Sequence, residues 1–400
     1  MERTPKLNPT EFLKEAYKII KENLMTNDVS SNNVFEELVK SFLDREVIPF
    51  CDEWEKNKNV PTDILFKLSE SGILQQCDPC TLLGKKNKLI LANAMGKTRS
   101  MGITCMVLNH LNIPMRLLSE YASPFLKDKY LIPALRGEML GAVGITEKKS
   151  GSDLTAIEDT VVEFFEDSMV LNGQKTFILN VPGADFVLVL CKEIGSTNQL
   201  SFTWVLVPSK CEGIRMERIQ TTPLHTVSIG NIIFENCLLP LDHIVGKRDR
   251  GVLYLNNPLA EERLIGSVAI LSLMEEIIQS TLDFVSHRKF THGVLRDMQV
   301  VRHRMAEMVA DYEVVSAYCE EVKQNWLCNR KEATQQVAML RLLISDTAQT
   351  VVDACLQLNG GRGYLETNWL SRAYRDLLAA SSFAGTQEIL KEQISVHIMK

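Results

Sequence analysis

The feature that most constrains this chain is a change of hydrophobic period along it. Apolar residues recur first at helical spacing, then in alternation, then at helical spacing again. In the run 34–43, Phe35, Leu38, Val39, Phe42 and Leu43 fall at i, i+3, i+4, i+7 and i+8, one face of a helix. Residues 63–68 and 101–121 read alike, and the second is apolar enough to expect burial. This helical character extends from about Pro9 to Glu138. It gives way near Leu140 to short β-branched runs at 160–165, 169–171, 175–179, 186–191, 201–207 and 229–234. Asn172-Gly173 reads as a hairpin turn between two of them. Helical period returns after Asn257-Pro258, read as an N-cap with proline at the first helical position. It continues through 264–286, 298–326 and 334–358, is broken by Gly360-Gly361-Arg362-Gly363, and resumes from about Thr386. The expected architecture is an N-terminal helical domain (1–139), a central β-barrel or sandwich domain (140–250) and a C-terminal four-helix bundle (251–400).

Composition narrows the function classes. Asp and Glu outnumber Lys and Arg by 50 to 44, a net charge of −6, where a nucleic-acid binder would show a basic surplus. No apolar stretch is long enough to span a membrane. Of ten cysteines only Cys77 and Cys80 are close, and no second pair follows at zinc spacing. They read as scattered thiols in a reducing cytoplasm. Glu2, Glu11, Glu15, Glu22 and Asp28 argue against a leader peptide.

No hydrolase, zincin or Walker motif is present. The segment Gly144-Ile145-Thr146-Glu147-Lys148-Lys149-Ser150-Gly151-Ser152-Asp153 enters the β unit and is rich in small and hydroxylated residues. Such a loop presents N–H and hydroxyl donors to a phosphate or a flavin edge, or is an ordinary polar connector.

Five fragments in register give the sequence a resemblance to the acyl-CoA dehydrogenase family over nearly its whole length. They are Tyr130-Leu131-Ile132-Pro133-Ala134-Leu135-Arg136-Gly137-Glu138; Thr146-Glu147 with Gly151-Ser152-Asp153; Leu171-Asn172-Gly173-Gln174-Lys175; the pair Arg288 and Gln299; and Gln357 through Gly363 with Arg375-Asp376 and Gly385-Thr386. The resemblance implies bound FAD and a homodimer or homotetramer. Ile145, Thr146, Phe177 and Leu179 would lie at the flavin ring, and Gly151 and Ser152 near the pyrophosphate. Arg288, Gln299, Gln357 and Gly361 would reach the FAD of a neighbouring subunit, and Thr386 and Glu388 its phosphate end. Ser152 and Arg263 would also meet substrate. The implied reaction is α,β-dehydrogenation of an acyl thioester, on CoA or on an acyl-carrier protein, with an acceptor such as an electron-transfer flavoprotein. The base must be a carboxylate in a water-poor pocket, where burial raises its pKa toward the working pH.

The base position of many family members, just before Gly-Thr, is here Ala384 in Phe383-Ala384-Gly385-Thr386, which takes no proton. A branch of the family carries the base before an Arg on the first long C-terminal helix. Here that run is Glu261-Glu262-Arg263, so Glu262 is the candidate base. By itself the pair of glutamates also reads as first-turn charges favoured by the helix dipole. Val143 stands where an aromatic is common, Leu179 where a threonine is usual, and Gln75-Gln76-Cys77-Asp78-Pro79-Cys80 where a Gly-Gly loop is usual. These departures leave two alternatives open: a flavin monooxygenase or oxidase on the same fold, and a family member that binds without turnover. Lys127, Lys129, Lys148 and Lys149 read as a solvated surface or as contacts to CoA phosphates.

Overall fold

The computed structural model describes residues 29–196, 198 and 201–399. The helical pattern read from Pro9 to residue 28, and the five acidic residues that argued against a leader, lie outside them.

The N-terminal lobe contains α1 (Val29–Glu46), α2 (Cys51–Asn57), α3 (Asp63–Glu70), α4 (Leu82–Gly96), α5 (Met101–Leu111) and α6 (Ile113–Tyr121). The apolar segment 101–121 is therefore two helices. Pro114 lacks an N–H and sits in the first turn of α6, and the chain breaks at Asn112 (φ −86°, ψ −99°). Both helices are buried along most of their length.

The central lobe is one eight-stranded sheet: β1 (Gly141–Gly144), β2 (Val161–Phe164), β3 (Ser168–Leu179), β4 (Phe186–Glu193), β5 (Phe202–Pro208), β6 (Ile214–Arg218), β7 (Ile229–Pro240) and β8 (Ile244–Val245). The main order is β6-β7-β3-β2-β4-β5-β8, with β1 pairing in parallel with β4. Strand alternation splits the core. Phe186, Leu188 and Leu190 of β4, with Phe202, Trp204 and Leu206 of β5, face the helices, while Val187, Val189, Cys191, Val205 and Val207 fill the sheet's own interior.

Asn172-Gly173 is not a hairpin turn. It lies inside β3, where the register against β7 slips from Leu171↔Cys237 to Gly173↔Phe234. Gly173 has φ +129°, and a Cβ there would sit 2.0 Å from the Asp159 carbonyl, so the Asn-Gly pair serves a bulge. The hairpin comes earlier, where Phe165 N–H donates to Ser168 O at 2.8 Å.

The C-terminal lobe has three long helices, α7 (Asn256–His287), α8 (Gln299–Leu327) and α9 (Ala333–Asn359), then α10 (Trp369–Leu377) and α11 (Gln387–Ile398). α7 starts at Asn256, so Pro258 is its third residue, and Glu261 and Glu262 lie beyond the first turn. α7 also packs hard on α4. A Cβ on Gly96 would overlap the Ala269 carbonyl at 2.2 Å, so glycine sets how closely the two backbones approach.

Candidate active site

A cavity of about 650 Å³ of empty space, its mouth included, opens where the lobes meet. Helical spacing builds its walls. α5 contributes Met101, Thr104, Cys105 and Leu108, and α7 contributes Glu262, Gly266, Ala269 and Ile270. Arg341 of α9, Asp376 of α10, Phe383, Ala384 and Leu179 of β3 also line it.

The two neighbouring glutamates divide. Glu261 points at α4 and forms a buried ion pair with Lys88, with Arg116 Nη1 at 3.6 Å. Glu262, one residue and about 100° further round the helix, lines the cavity with Ala384. Its hydrogen-bond partner is Asn109 Nδ2, a long contact of 3.4 Å. Burial pushes its pKa up to about 7, although Asn109, Arg341 and Arg263 pull it down. The helix N-terminus that would oppose this rise is more than a turn away. Asp376 is likewise pushed up to about 7 by burial, against a bond from Leu224 N–H at 2.7 Å.

Arg263 is committed to the protein. Its Nε donates to Ala384 O at 2.7 Å and its Nη1 to Gln393 Oε1 at 2.8 Å. It thereby fixes the turn that brings Ala384 to the cavity, in which Ala384 (φ +58°) and Gly385 (φ +104°) are left-handed. Thr386 then caps α11, its hydroxyl accepting from Ile389 N–H at 3.5 Å. Glu388 is exposed in the first turn.

Ile145, Thr146 and Phe177 are brought together by a buried pair. Lys175 Nζ donates to Ile145 O and to Glu147 Oε1, both at 2.9 Å. The Glu147 carboxylate also accepts the N–H groups of Glu158, Asp159 and Thr160 at 2.8–3.0 Å. Thr176 N–H donates to Thr146 O at 2.9 Å, which locks the end of β1 to β3. Beside it Phe177 adopts φ +57° and is 62% exposed, while Leu179, two residues on, reaches the cavity. A Cβ on Gly151 would meet only Thr146 Cγ2, at 3.4 Å, so the exposed Gly151-Ser152 backbone is open to approach. A flat ring on Phe177 and Thr146 with phosphates at the Gly151 loop fits these residues. Leu179 supplies no hydrogen bond to it.

Arg288, Gln299, Gln357 and Gly361 do not join this cluster. All four are exposed, at one end of the bundle where α7 ends, α8 begins and α9 ends. Arg362 lies 5.8 Å over the Phe284 ring, which ties the Gly361 turn to the end of α7. A Cβ on Gly360 or Gly361 would meet nothing within 4 Å. Lys148 and Lys149 are exposed, and Lys129 lies over the rings of Phe125 and Tyr130 at 5.1 and 5.4 Å.

Sequence reasoning missed Arg341 and Asn109, and took Asp376 only as part of a signature. The signal for Arg341 was present: it interrupts the apolar stripe Val337, Ala338, Leu340, Ile344, Ala348 and Val351 on the buried face of α9.

Three acyl-CoA dehydrogenase family models match in order: the N-terminal domain over residues 31–138, the middle domain over 142–237 and the C-terminal domain over 249–399. The chain is 26% identical over 377 residues to the mitochondrial long-chain specific acyl-CoA dehydrogenase of Rattus norvegicus, covering 92% of this chain and 87% of that protein. It is 25% identical over 379 residues to the 3-(aryl)acrylate reductase of Clostridium sporogenes, covering 92% and 98%. The fold superposes on the crystal structure of an acyl-CoA dehydrogenase from Geobacillus kaustophilus with a TM-score of 0.86 at 25% identity, covering 93% of this chain and 99% of that one.

Proposed function

The chain belongs to the acyl-CoA dehydrogenase family, and from that premise we propose that it dehydrogenates acyl thioesters at the α,β bond with Glu262 as the base. As a family member it is an FAD flavoprotein oxidoreductase acting on CH–CH groups. The observation that carries the assignment of the base is the state of Glu262. It is a cavity-lining carboxyl with no ion pair among the described residues, and burial raises its pKa to about 7.

Such a group is a stronger base than an ordinary glutamate, yet is substantially ionised near neutral pH. Its carboxylate oxygen takes the proton from the α carbon. Met101, Leu108, Ala269, Ile270 and Phe383 keep the surroundings apolar, and Ala384 leaves room for the acyl chain. When bound, FAD supplies the hydride acceptor for the β carbon. Ile145, Thr146, Phe177 and Leu179 would hold its ring and Gly151 and Ser152 its pyrophosphate. Arg288, Gln299, Gln357 and Gly361 would serve the FAD of a neighbouring copy in a homodimer or homotetramer, and Thr386 and Glu388 the phosphate end. The exposure of those four bundle-end residues supports that reading. Ser152 would meet the thioester side. Arg263 shapes the substrate wall through Ala384.

The thioester is assigned to CoA, with an acyl-carrier protein as the alternative carrier, and the acceptor to an electron-transfer flavoprotein. The lobes divide at 1–139, 140–250 and 251–400. No described helix is long and apolar enough to cross a membrane. A cytoplasmic site suits ten unpaired cysteines.

The test is Glu262→Gln in the FAD-loaded protein. Anaerobic addition of acyl-CoA should bleach the wild-type flavin and leave the variant yellow at unchanged FAD content. Bleaching that survives in the variant removes Glu262 from the role.

A further inference from the structure

We propose that the acyl group taken by this site carries a carboxylate beyond the reacting carbons, and that Arg341 is the residue that recognises it. The inference rests on the dehydrogenase reading above and names its substrate class. Arg341 is 4% exposed and lines the same cavity as Glu262. Its guanidinium makes no hydrogen bond or ion pair among the described residues, and Nε and Nη1 are fully enclosed without a partner. Buried guanidinium donors that no group of the protein accepts are costly, so a site that keeps them is suited to an anion from outside.

The cavity's own acids do not fill that place. Asp376 accepts from Leu224 N–H, and Glu262 faces Asn109. Among the described residues neither carboxyl makes a hydrogen bond or ion pair with Arg341, whose Nε and Nη1 stay without a partner. Gly266 lies one helical turn beyond Glu262, and a Cβ there would touch Arg341 Nη1 at 3.8 Å, so glycine keeps the wall beside the guanidinium clear.

The chemistry of arginine selects the ligand. Each edge of the planar fork offers two parallel N–H donors, which match the two oxygens of a carboxylate. A hydroxyl or ketone engages one donor and leaves the charge uncompensated. The fitting substrate is the monothioester of a dicarboxylic acid, with the thioester end at Glu262 and the free carboxylate at Arg341.

The experiment uses the FAD-loaded enzyme and pairs of unbranched saturated CoA thioesters. Each neutral chain is matched with its ω-carboxy partner of equal carbon number, over a ladder of lengths. Anaerobic flavin bleaching gives kcat/KM, and the absorbance change on binding to Glu262→Gln gives affinity without turnover. At the fitting length the carboxylated partner should be preferred by about tenfold or more, the range of a charge-assisted hydrogen bond. Arg341→Met should abolish or reverse that preference, and Arg341→Lys should retain part of it. Equal or weaker use of the carboxylated chains at every length overturns the inference while leaving the dehydrogenase reading standing. So does a preference that Arg341→Met leaves unchanged. If neither series binds or bleaches, the dehydrogenase reading itself fails and takes this inference with it. The wild-type comparison needs no variant, so a poorly folding Arg341→Met does not block the decision.

Discussion

Glu261 and Glu262 are consecutive in the chain and face opposite surroundings. Glu261 is buried against Lys88, and Glu262 lines the cavity with no ion pair among the described residues. One step of helix rotation separates a structural ion pair from a titrating acid. The two therefore predict different phenotypes. Glu261→Gln leaves Lys88 buried and unpaired, and should cost about 3–5 kcal/mol of stability. Acyl-dependent bleaching per FAD-loaded molecule should change little. Urea unfolding and anaerobic spectroscopy on the same preparation check both halves. Replacing both partners, as Lys88→Met with Glu261→Leu, should recover most of the loss.

Activity should depend on the ionisation of Glu262. With Glu262 raised to about 7, kcat/KM should fall below about pH 7, because the base is then protonated. Asp376 is raised to about 7 by its own burial and not by Glu262, so Asp376→Asn should leave that limb in place. Glu262→Gln should remove the activity that defines it.

Stability should run the other way. Glu262 and Asp376 hold protons in the folded state that the unfolded chain releases above its ordinary values of 4.5 and 3.8. Their contribution is complete below those values and is lost as pH rises through about 7. His110 opposes them. Its Nδ1 accepts from Gly141 N–H at 3.0 Å, and its pKa is lowered to about 4 by burial. Its contribution is present above its ordinary 6.5 and is lost as pH falls through 4. Glu262 and Asp376 by themselves lose about 2.7 kcal/mol per pH unit between roughly pH 4.5 and 6.5, and His110 and His243, both lowered by burial, oppose that fall. Denaturation midpoints across that window read the balance, and Asp376→Asn should shift the slope upward by about 1.4 kcal/mol per pH unit.

The base should be movable across the cavity. Ala384 lines the same space, on a turn held by Arg263. Adding Ala384→Glu to Glu262→Gln should restore a measurable part of the bleaching rate. The left-handed φ of +58° should cost about 1–2 kcal/mol for any residue other than glycine. Single-turnover bleaching of the double variant is the measurement.

The Glu147–Lys175 pair should be required for cofactor retention. Glu147→Gln leaves Lys175, fully buried, without its counter-charge and loosens the junction of Ile145 and Thr146 with Thr176. FAD content after purification should fall, and thermal stability should drop by several kcal/mol. Full FAD occupancy in this variant would show that the pair does not hold that junction.

Part of the site was legible in the sequence. The family resemblance makes Ala384 and Glu262 visible as an exchange of base position, and the cavity contains both. The small-residue loop at Gly151-Ser152 is visible from composition. The reading of Asn172-Gly173 failed because the same dipeptide that closes a hairpin also suits a bulge, and only the partner strand β7 decides which. The apolar run 101–121 read as one segment because hydrophobicity does not mark the break that Asn112 and Pro114 impose.

The sequence by itself determined the order of helical, β and helical lobes, because periods of 3.6 and 2 are local records of which face each element buries. The resemblance to a family branch put the candidate base at Glu262, next to Glu261. The tertiary structure alone decided which of them is free. Lys88 on α4 neutralises one, and Arg341 and Ala384, on segments far along the chain, share a cavity with the other. A side chain's protonation and its lack of a partner depend on what distant segments bring to it, and no local pattern contains that information.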